Sequence, residues 1–250
     1  MEVEFNRAMG LLRGGDIDAC IDVMKLLCFE MMDMLKGSDS GGQDSGGGGD
    51  APGAMVRDLL VRRADELAGL MAEKTQQIFS EASCAIALGR PPNSRACKYA
   101  LNCLMNIFSS PGLPAGVEQG TLHRLVRVLL LRLVDEHLVK VPEGEALLKA
   151  LNVLMLKLLE NCDRNASFAA LLALLLEAPQ GVAGEPELEA RWSDLVVKCL
   201  IKITKALPST IDAVDLRQLL FAIHSFFESL GVDEIRRRGG RDDKPLRMRV

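Results

Sequence analysis

The side chains that could do acid–base or metal chemistry are scattered along this sequence. His123, His137 and His224 lie at least 14 residues apart in the sequence, and none has a second histidine or a cysteine three or four residues away. Zinc sites and metalloprotease helices need such close pairs, and the sequence also lacks CxxC, HExxH and GxSxG motifs. We therefore predict that the protein is not an enzyme and binds no metal or cofactor.

A glycine run at Gly46–Gly49 superficially resembles a phosphate-binding loop. A true loop of that type follows a strand and is closed by Lys-Ser or Lys-Thr, and this run has neither. The surrounding segment 37–53, GSDSGGQDSGGGGDAPG, has too little apolar surface to form a core. The composition predicts a disordered Gly/Ser linker over residues 37–53.

A repeated motif organises the rest of the chain. ALNCLM begins at Ala100 and ALNVLM at Ala150, which is 50 residues later. In both copies an Asn precedes a Leu by two residues. The same two-residue spacing, with Lys in place of Asn, occurs at Lys25 and at Lys198. Leu27, Leu104, Leu154 and Leu200 therefore occupy equivalent positions in four helices. Periods of about 40 to 47 residues are typical of two-helix HEAT repeats.

The predicted fold is all-α, a HEAT-like (armadillo-type) solenoid of stacked antiparallel helix pairs. Residues 1–36 form the first pair, residues 37–53 the linker, and residues 54–250 the remaining array. The apolar pattern restarts at Leu246 and ends at Val250, so we predict a last repeat that is incomplete and an array truncated at its C-terminus. The predicted helices are 3–13 with 17–35, 54–80 with 94–108, 117–138 with 144–161, 164–177 with 191–206, and 212–230.

Composition supports a helical protein of the cytoplasm. The chain is 48% hydrophobic but only 4% aromatic, with a formal net charge of −4. Abundant Leu and Ala favour helix packing, and the net charge gives no basic field for nucleic acid. No apolar run approaches the roughly 18 to 20 residues that cross a bilayer, and the start of the chain lacks a cleavable signal. The odd count of seven cysteines indicates reduced thiols.

Basic residues in the turns are the strongest candidates for a binding site. In stacked helix pairs the turns within the pairs line up along one edge, and an acidic protein surface is the natural partner for a positive edge. A merely solvated set of charges is the alternative, and Glu185, Glu187 and Glu189 in the fourth turn interrupt the positive stripe. The candidate edge consists of Arg13, Arg90, Arg95, Lys140, Arg236, Arg237, Arg238, Arg241 and Lys244.

The sequence also leads to structural expectations for two asparagines and a tryptophan. Asn102 and Asn152 occupy equivalent sites in the repeated motif, so we expect each to make a structural hydrogen bond that recurs with the repeat. Trp192 is the only tryptophan, at the start of the second helix of the fourth pair, and we expect it to have a staple-like or inter-repeat packing role rather than to face solvent.

Four segments give the chain a resemblance to a known family. SRACKYALNCLM (94–105), LLKALNVLMLKLLENCDR (147–164), SDLVVKCLIKITKALPSTI (193–211) and VDEIRRRGGRDDKPLRM (232–248) are similar to the C-terminal TOG-like region of the TOG-domain microtubule polymerases, in particular the plant-type microtubule-organization members. The resemblance covers nearly all the chain outside the linker. It implies an α-solenoid in a large microtubule-associated protein of the cytoplasm, acting at plus ends, spindles and cortical arrays.

The resemblance also implies a partner. N-terminal TOG domains of the family grip tubulin through the turns within repeats, with an aromatic residue in the first turn and basic residues in later ones. The first turn here, Arg13-Gly14-Gly15-Asp16, lacks that aromatic residue. Two functions follow: a module that binds tubulin or the microtubule lattice, or an adaptor that docks a coiled-coil partner of the TACC type without direct tubulin contact.

Overall fold

The computed structural model describes residues 2–39, 51–177 and 184–233, and this part of the chain is helical without any strand. The all-α fold class predicted from the sequence is confirmed. The helices are α1 Glu2–Arg13, α2 Ile17–Asp39, α3 Ala51–Arg62, α4 Ala64–Ala87, α5 Ser94–Ser109, α6 Gln119–Val134, α7 Gly144–Asn161, α8 Arg164–Leu176, α9 Pro186–Thr210 and α10 Leu216–Leu230.

The helices stack in two layers. The first layer contains α1, α4, α6, α8 and α10, each packed on the next, and the second contains α2, α5, α7 and α9 in the same order. Contacts between the layers join α1 with α2, α4 with α5, α6 with α7, and α8 with α9. This arrangement is the predicted solenoid of helix pairs, with α3 added before α4.

Polar contacts between neighbouring pairs have the spacing of the repeated motif. Asn161 Nδ2, at the end of α7, donates to the carbonyl oxygen of Phe108 at the end of α5, at 2.6 Å and 53 residues away. Asn165 and Asp215, at the starts of α8 and α10, exchange two hydrogen bonds over a separation of 50 residues. Chain segments that are one repeat apart are therefore neighbours in space, which is what a solenoid requires.

The leucine column is buried in the second layer. Leu104 and Leu154 have no exposed surface, and Leu27 and Leu200 are 5% exposed. All four belong to one continuous apolar core, so the predicted repeat register is confirmed. The helical period places the residue two positions before each leucine away from the core, since two residues turn the helix through about 200°.

The expectation of a recurring asparagine hydrogen bond is wrong for the same reason. Asn102 and Asn152 are both exposed. Asn152 donates to the carbonyl oxygen of Leu148, one turn back in its own helix, at 3.0 Å. A side chain on the outer face meets water or its own backbone rather than a neighbouring loop.

The helix predicted over residues 54–80 is instead two helices that meet at Arg63. Arg63 has backbone angles φ −108° and ψ 17°, and α4 then continues to Ala87. The guanidinium of Arg63 lies 5.1 Å from the ring centroid of Phe5 in α1 and donates to Glu66 at 2.6 Å. The contact with Phe5 joins the junction of α3 and α4 to α1 across 58 positions of the chain.

Part of the predicted linker is helical at its two ends. Residues 37–39 complete α2, and residues 51–53 form the first turn of α3, where a proline at position 52 is compatible with helix. The predicted disorder over the remainder, residues 40–50, falls outside the described residues.

Trp192 is buried rather than facing solvent, as expected. Its side chain is 2% exposed, and its Nε1–H donates to the carbonyl oxygen of Leu174 in α8 at 3.1 Å. The contact joins the two helices of one pair rather than two successive repeats. A buried indole needs such an acceptor, because an unpaired buried N–H destabilises the fold.

Gly144, the first residue of α7, tolerates no side chain. A Cβ added there would lie 2.1 Å from the carbonyl oxygen of Leu138 and 2.9 Å from that of Val139. We expect Gly144→Ala to lower the free energy of unfolding by about 3 kcal/mol, because the clash is with backbone and can be relieved only by moving the α6–α7 turn.

Gly120→Ala is the matched control for this change. Gly120 lies in the first turn of α6, and a Cβ there meets nothing within 4 Å, so its replacement should be neutral or stabilising. Urea unfolding followed by circular dichroism compares the two variants. Equal midpoints would contradict the close approach of Gly144 to the preceding turn.

Candidate protein-interaction edge

The turns within the second and third pairs lie side by side, next to the N-terminal part of α9. Ser83, near the end of α4, donates to Asp135 just after α6 at 2.6 Å. Lys98 in α5 forms an ion pair of 2.6 Å with Glu143, the residue before α7. A third contact joins Glu136 to Arg191 near the start of α9 at 2.8 Å. The structure therefore aligns the α4–α5 and α6–α7 turns and the N-terminal part of α9 along one edge of the array.

Three of the predicted cations lie exposed on this edge. Arg90 is in the α4–α5 turn, Arg95 in the first turn of α5, and Lys140 in a short 3-10 helix, Leu138–Lys140, within the α6–α7 turn. Among the described residues, neither Arg90 nor Lys140 has a carboxylate within ion-pair distance. Their charges are thus directed to solvent rather than used inside the fold.

Arg13 lies elsewhere. Its guanidinium pairs with Glu66 at 2.8 Å, in the first turn of α4. The turn after it is bound by Lys74, whose Nζ donates to the carbonyl oxygen of Gly14 at 2.9 Å. At a rise of about 1.5 Å per residue, Lys74 is roughly 20 Å from Ala87, where α4 enters the next turn. The structure therefore does not place Arg13 beside Arg90.

The other five predicted cations are outside the described residues. Arg236, Arg237, Arg238, Arg241 and Lys244 follow residue 233, where the described part of the chain ends. Their membership of the edge stays a prediction. The acidic fourth turn is described from Gly184 onward, and there Glu189 accepts a hydrogen bond of 2.8 Å from the backbone N–H of Gly184.

Sequence reasoning missed an aromatic group and a lysine at one end of the edge. The ring of Tyr99 in α5 lies close to two cations, with Lys25 Nζ 5.5 Å and Arg95 Cζ 5.8 Å from its centroid. Lys25 also donates to Asp22 at 2.7 Å, and this hydrogen bond lowers the pKa of the Asp22 carboxyl. The four-residue spacing of Arg95 and Tyr99 on one helix was the available signal, because such residues share a face.

Asp135 fixes the α6–α7 turn from within. Besides Ser83, its carboxylate faces Arg132 Nη1 at 3.5 Å and accepts from the backbone N–H of His137 at 2.9 Å. The side chains of Asp135 and Arg132 are only 14% and 13% exposed. Burial lowers the pKa of the Arg132 guanidinium, and the charge of Asp135 opposes that shift. The α6–α7 turn, which carries Lys140, therefore contains a largely buried ion pair.

No candidate metal centre or membrane span is found in the part of the chain that the structure describes. Histidine, cysteine and carboxylate side chains in residues 2–39, 51–177 and 184–233 form no group of three suited to a metal ion. None of the helices in these ranges is long and apolar enough to cross a membrane.

Comparison with known proteins identifies the relatives of this chain. Protein MOR1 of Arabidopsis thaliana is 40% identical over 98% of the chain, and Protein MOR1 of Oryza sativa subsp. japonica is 38% identical over 98%. The chain is a relative of the plant MOR1 proteins. The family resemblance predicted from the sequence is thereby confirmed, and the two-layered helical array fits a TOG-like HEAT fold.

The MOR1 relatives are much longer than this chain. The chain corresponds to 12% of the length of each MOR1 protein. Centrosomal protein 224 of Dictyostelium discoideum is 25% identical over 72% of the chain, which is 9% of its own length. No family profile and no solved structure matches the chain. The chain therefore matches a short segment of each of these longer relatives.

Proposed function

We propose that this chain is a non-enzymatic microtubule-associated module that binds tubulin or the microtubule lattice through the edge formed by its turns. The observation that carries the proposal is the identity of 40% to MOR1 over 98% of the chain, together with the family resemblance to microtubule polymerases. In this proposal the module serves a larger protein of the cytoplasmic cytoskeleton that supports plus-end growth and the order of spindle and cortical arrays.

The charges of the edge support an acidic protein as the partner. Arg90, Arg95 and Lys140 project into solvent, and complementary charges across an interface accelerate association and fix its orientation. Tyr99, close to Lys25 and Arg95, supplies an amphipathic ring of the kind enriched at binding hot spots. The edge of this array thus carries an aromatic residue near the first pair even though the first turn has none.

Charge reversal tests the edge. We expect the triple variant Arg90→Glu, Arg95→Glu and Lys140→Glu to reduce co-sedimentation with microtubules at least about tenfold, because each reversal replaces attraction by repulsion. The loss should be largest at low salt, since exposed charges are screened beyond about 8 Å at physiological ionic strength. Circular dichroism should be unchanged.

A second triple variant controls for net charge. Arg7→Glu, Lys205→Glu and Arg217→Glu change the charge by the same amount at exposed positions in α1, α9 and α10, away from the aligned turns. Binding by this variant should remain close to that of the parent chain. If both triple variants lost microtubule binding equally, the binding would reflect non-specific electrostatic attraction. That result would overturn the proposal that the edge is the binding site. Reversal of Arg236, Arg237 and Arg238 extends the test to the cations beyond residue 233.

The adaptor function is the second candidate, and exposed apolar side chains in the second layer favour it. Val153 and Leu156 on α7 are 47% and 41% exposed, and Leu26 and Phe29 on α2 are 55% and 61% exposed. An amphipathic coiled-coil helix could cover such side chains. Two results together would support this alternative. The triple variant Arg90→Glu, Arg95→Glu and Lys140→Glu would still bind microtubules fully, and Leu156→Asp would abolish binding of a TACC-type coiled-coil peptide.

A further inference from the structure

Two cysteine side chains meet where α2 packs on α5. The thiol of Cys28 in α2 shares a hydrogen bond with the thiol of Cys103 in α5, and the side chain of Asn106 also hydrogen-bonds to the Cys28 sulfur. The two cysteines are 75 residues apart in the chain. Their contact therefore results from the packing of the first helix pair on the second.

A neighbouring contact between α2 and α5 supports the same register. Lys25 Nζ lies 5.5 Å from the ring centroid of Tyr99. Cys28 follows Lys25 by three residues and Cys103 follows Tyr99 by four, which is one helical turn on each helix. Both contacts advance in the same direction along the chain. The two helices therefore run parallel here, with the cysteines on their facing sides.

The two thiols differ in exposure and in acidity. Cys28 is half-buried, whereas Cys103 has no exposed surface. The hydrogen bond with Cys103 lowers the pKa of the Cys28 thiol, burial opposes that shift, and the hydrogen bond with Asn106 adds to it. The hydrogen bond with Cys28 and burial both raise the pKa of Cys103. Because the thiolate is the reactive form of cysteine, Cys28 is the member of the pair that reacts first with an oxidant in solution.

Three other cysteines have the properties of unreactive core residues. Burial raises the pKa of Cys97 and of Cys199 to about 11, and that of Cys162 to about 12. These thiols therefore stay protonated at neutral pH. An accessible, more acidic cysteine beside a shielded second cysteine is instead the arrangement found at redox-responsive sites.

We propose that Cys28 and Cys103 form an oxidative modification site, at which hydrogen peroxide converts the two thiols into a reversible intramolecular disulfide. The Cys28 thiolate attacks one peroxide oxygen, so an S–O bond forms, the O–O bond breaks, and the hydroxide that leaves takes up a proton to become water. The Cys103 sulfur then attacks the sulfenic acid of Cys28. The S–S bond forms, the S–O bond breaks, and the Cys103 proton leaves with the oxygen as a second water.

The disulfide ties the first helix pair to the second. A bond of about 2.05 Å requires sulfurs that already lie on facing side chains, as the hydrogen bond between Cys28 and Cys103 places them. The bond closes a loop of 75 residues, and constraining the unfolded chain in this way stabilises the folded state. Dithiol reductants reverse such bonds, which are usually transient in the cytoplasm. The inference does not depend on the proposed microtubule function.

Mass spectrometry of the full chain tests the site. The reduced protein is exposed to hydrogen peroxide, its remaining thiols are blocked with N-ethylmaleimide, and it is digested with trypsin without reductant. We expect the main oxidation product to be a linked pair of peptides that contain Cys28 and Cys103, two hydrogens lighter than the separate peptides. Dithiothreitol should remove the link. The urea midpoint should be higher in the oxidised protein than after dithiothreitol treatment.

Cysteine variants separate the two steps. In Cys103→Ser the first product has no partner, so Cys28 should accumulate as a sulfenic acid that dimedone captures. In Cys28→Ser the other thiol should stay reduced, because the residue that reacts first is missing. Cys199→Ser is the matched control, since it changes another half-buried cysteine of the second layer. This control should form the linked peptides as the parent chain does.

The digest of the unmodified sequence decides the proposal even where a variant fails to fold. Linkage of Cys28 to the exposed Cys84, or its oxidation to sulfinic acid without any link to Cys103, would overturn the site. The same conclusion would follow if both thiols were still blocked by N-ethylmaleimide at a peroxide concentration that oxidises Cys84. Disulfide-linked dimers on a non-reducing gel, in place of the internal link, would also contradict it.

Discussion

Asp135→Asn should lower the free energy of unfolding by about 3 kcal/mol, because it removes a charge that compensates the largely buried Arg132. The substitution keeps the shape of the side chain and an oxygen that can still accept from Ser83. In residues 2–39, 51–177 and 184–233, Arg132 Nε finds no hydrogen-bond partner, so little else offsets its charge. Urea unfolding followed by circular dichroism measures the loss.

Two comparisons separate this cause from others. Glu136→Ala removes the next carboxylate, whose pair with Arg191 is exposed, and should change stability by less than about 1 kcal/mol. Arg132→Met combined with Asp135→Asn should recover much of the stability, since replacing both members of a buried pair is often neutral. If Asp135→Asn were as mild as Glu136→Ala, the α6–α7 turn would not depend on this ion pair.

Leu154→Ala should lower the free energy of unfolding by about 2 to 5 kcal/mol. The side chain is fully buried, in the second-layer helix α7 that packs on both α5 and α6. Its removal leaves a cavity in the middle of the array, where interfaces on both sides lose contacts. Because each pair is stabilised chiefly by its neighbours, the midpoint of urea unfolding should fall for the whole array.

Leu156→Ala is the matched control for the column leucine. It removes the same atoms from the same helix two residues later, but Leu156 is 41% exposed. The expected loss is below about 1 kcal/mol, because little apolar surface returns to water. Similar midpoints for the two variants would contradict the register deduced from the repeated motif.

The candidate edge was only partly predictable. The turn positions of Arg90, Arg95 and Lys140 followed from helix boundaries set by Pro91, Pro92 and Pro142, which local chemistry dictates. The position of Arg13 did not, because it depends on how far along α4 the first pair packs. Lys25 contacts the ring of Tyr99 although the two residues are more than 70 positions apart in the chain. A local sequence pattern cannot predict a contact between residues so far apart.

Two helix boundaries also differ in how well the sequence predicts them. The sequence around Arg63, VRRADEL, contains good helix formers and no glycine or proline, so the helical period predicts one continuous helix there. The break coincides with contacts of Arg63, with Phe5 in α1 and with Glu66 in α4. Conversely, the break before α5 follows from two prolines and from Asn93, which caps the helix by accepting from the N–H of Ala96.

The sequence by itself determined the all-α class, the order of the helix pairs and the buried leucine column, because each rests on the period of apolar residues within one helix. Only the tertiary structure decided which turns lie side by side, which cations meet an aromatic ring and which carboxylate neutralises Arg132. Those outcomes depend on the stagger and tilt between helices that are about 50 residues apart. Stagger is set by the packing of whole surfaces, whereas helical periodicity is a property of neighbouring residues.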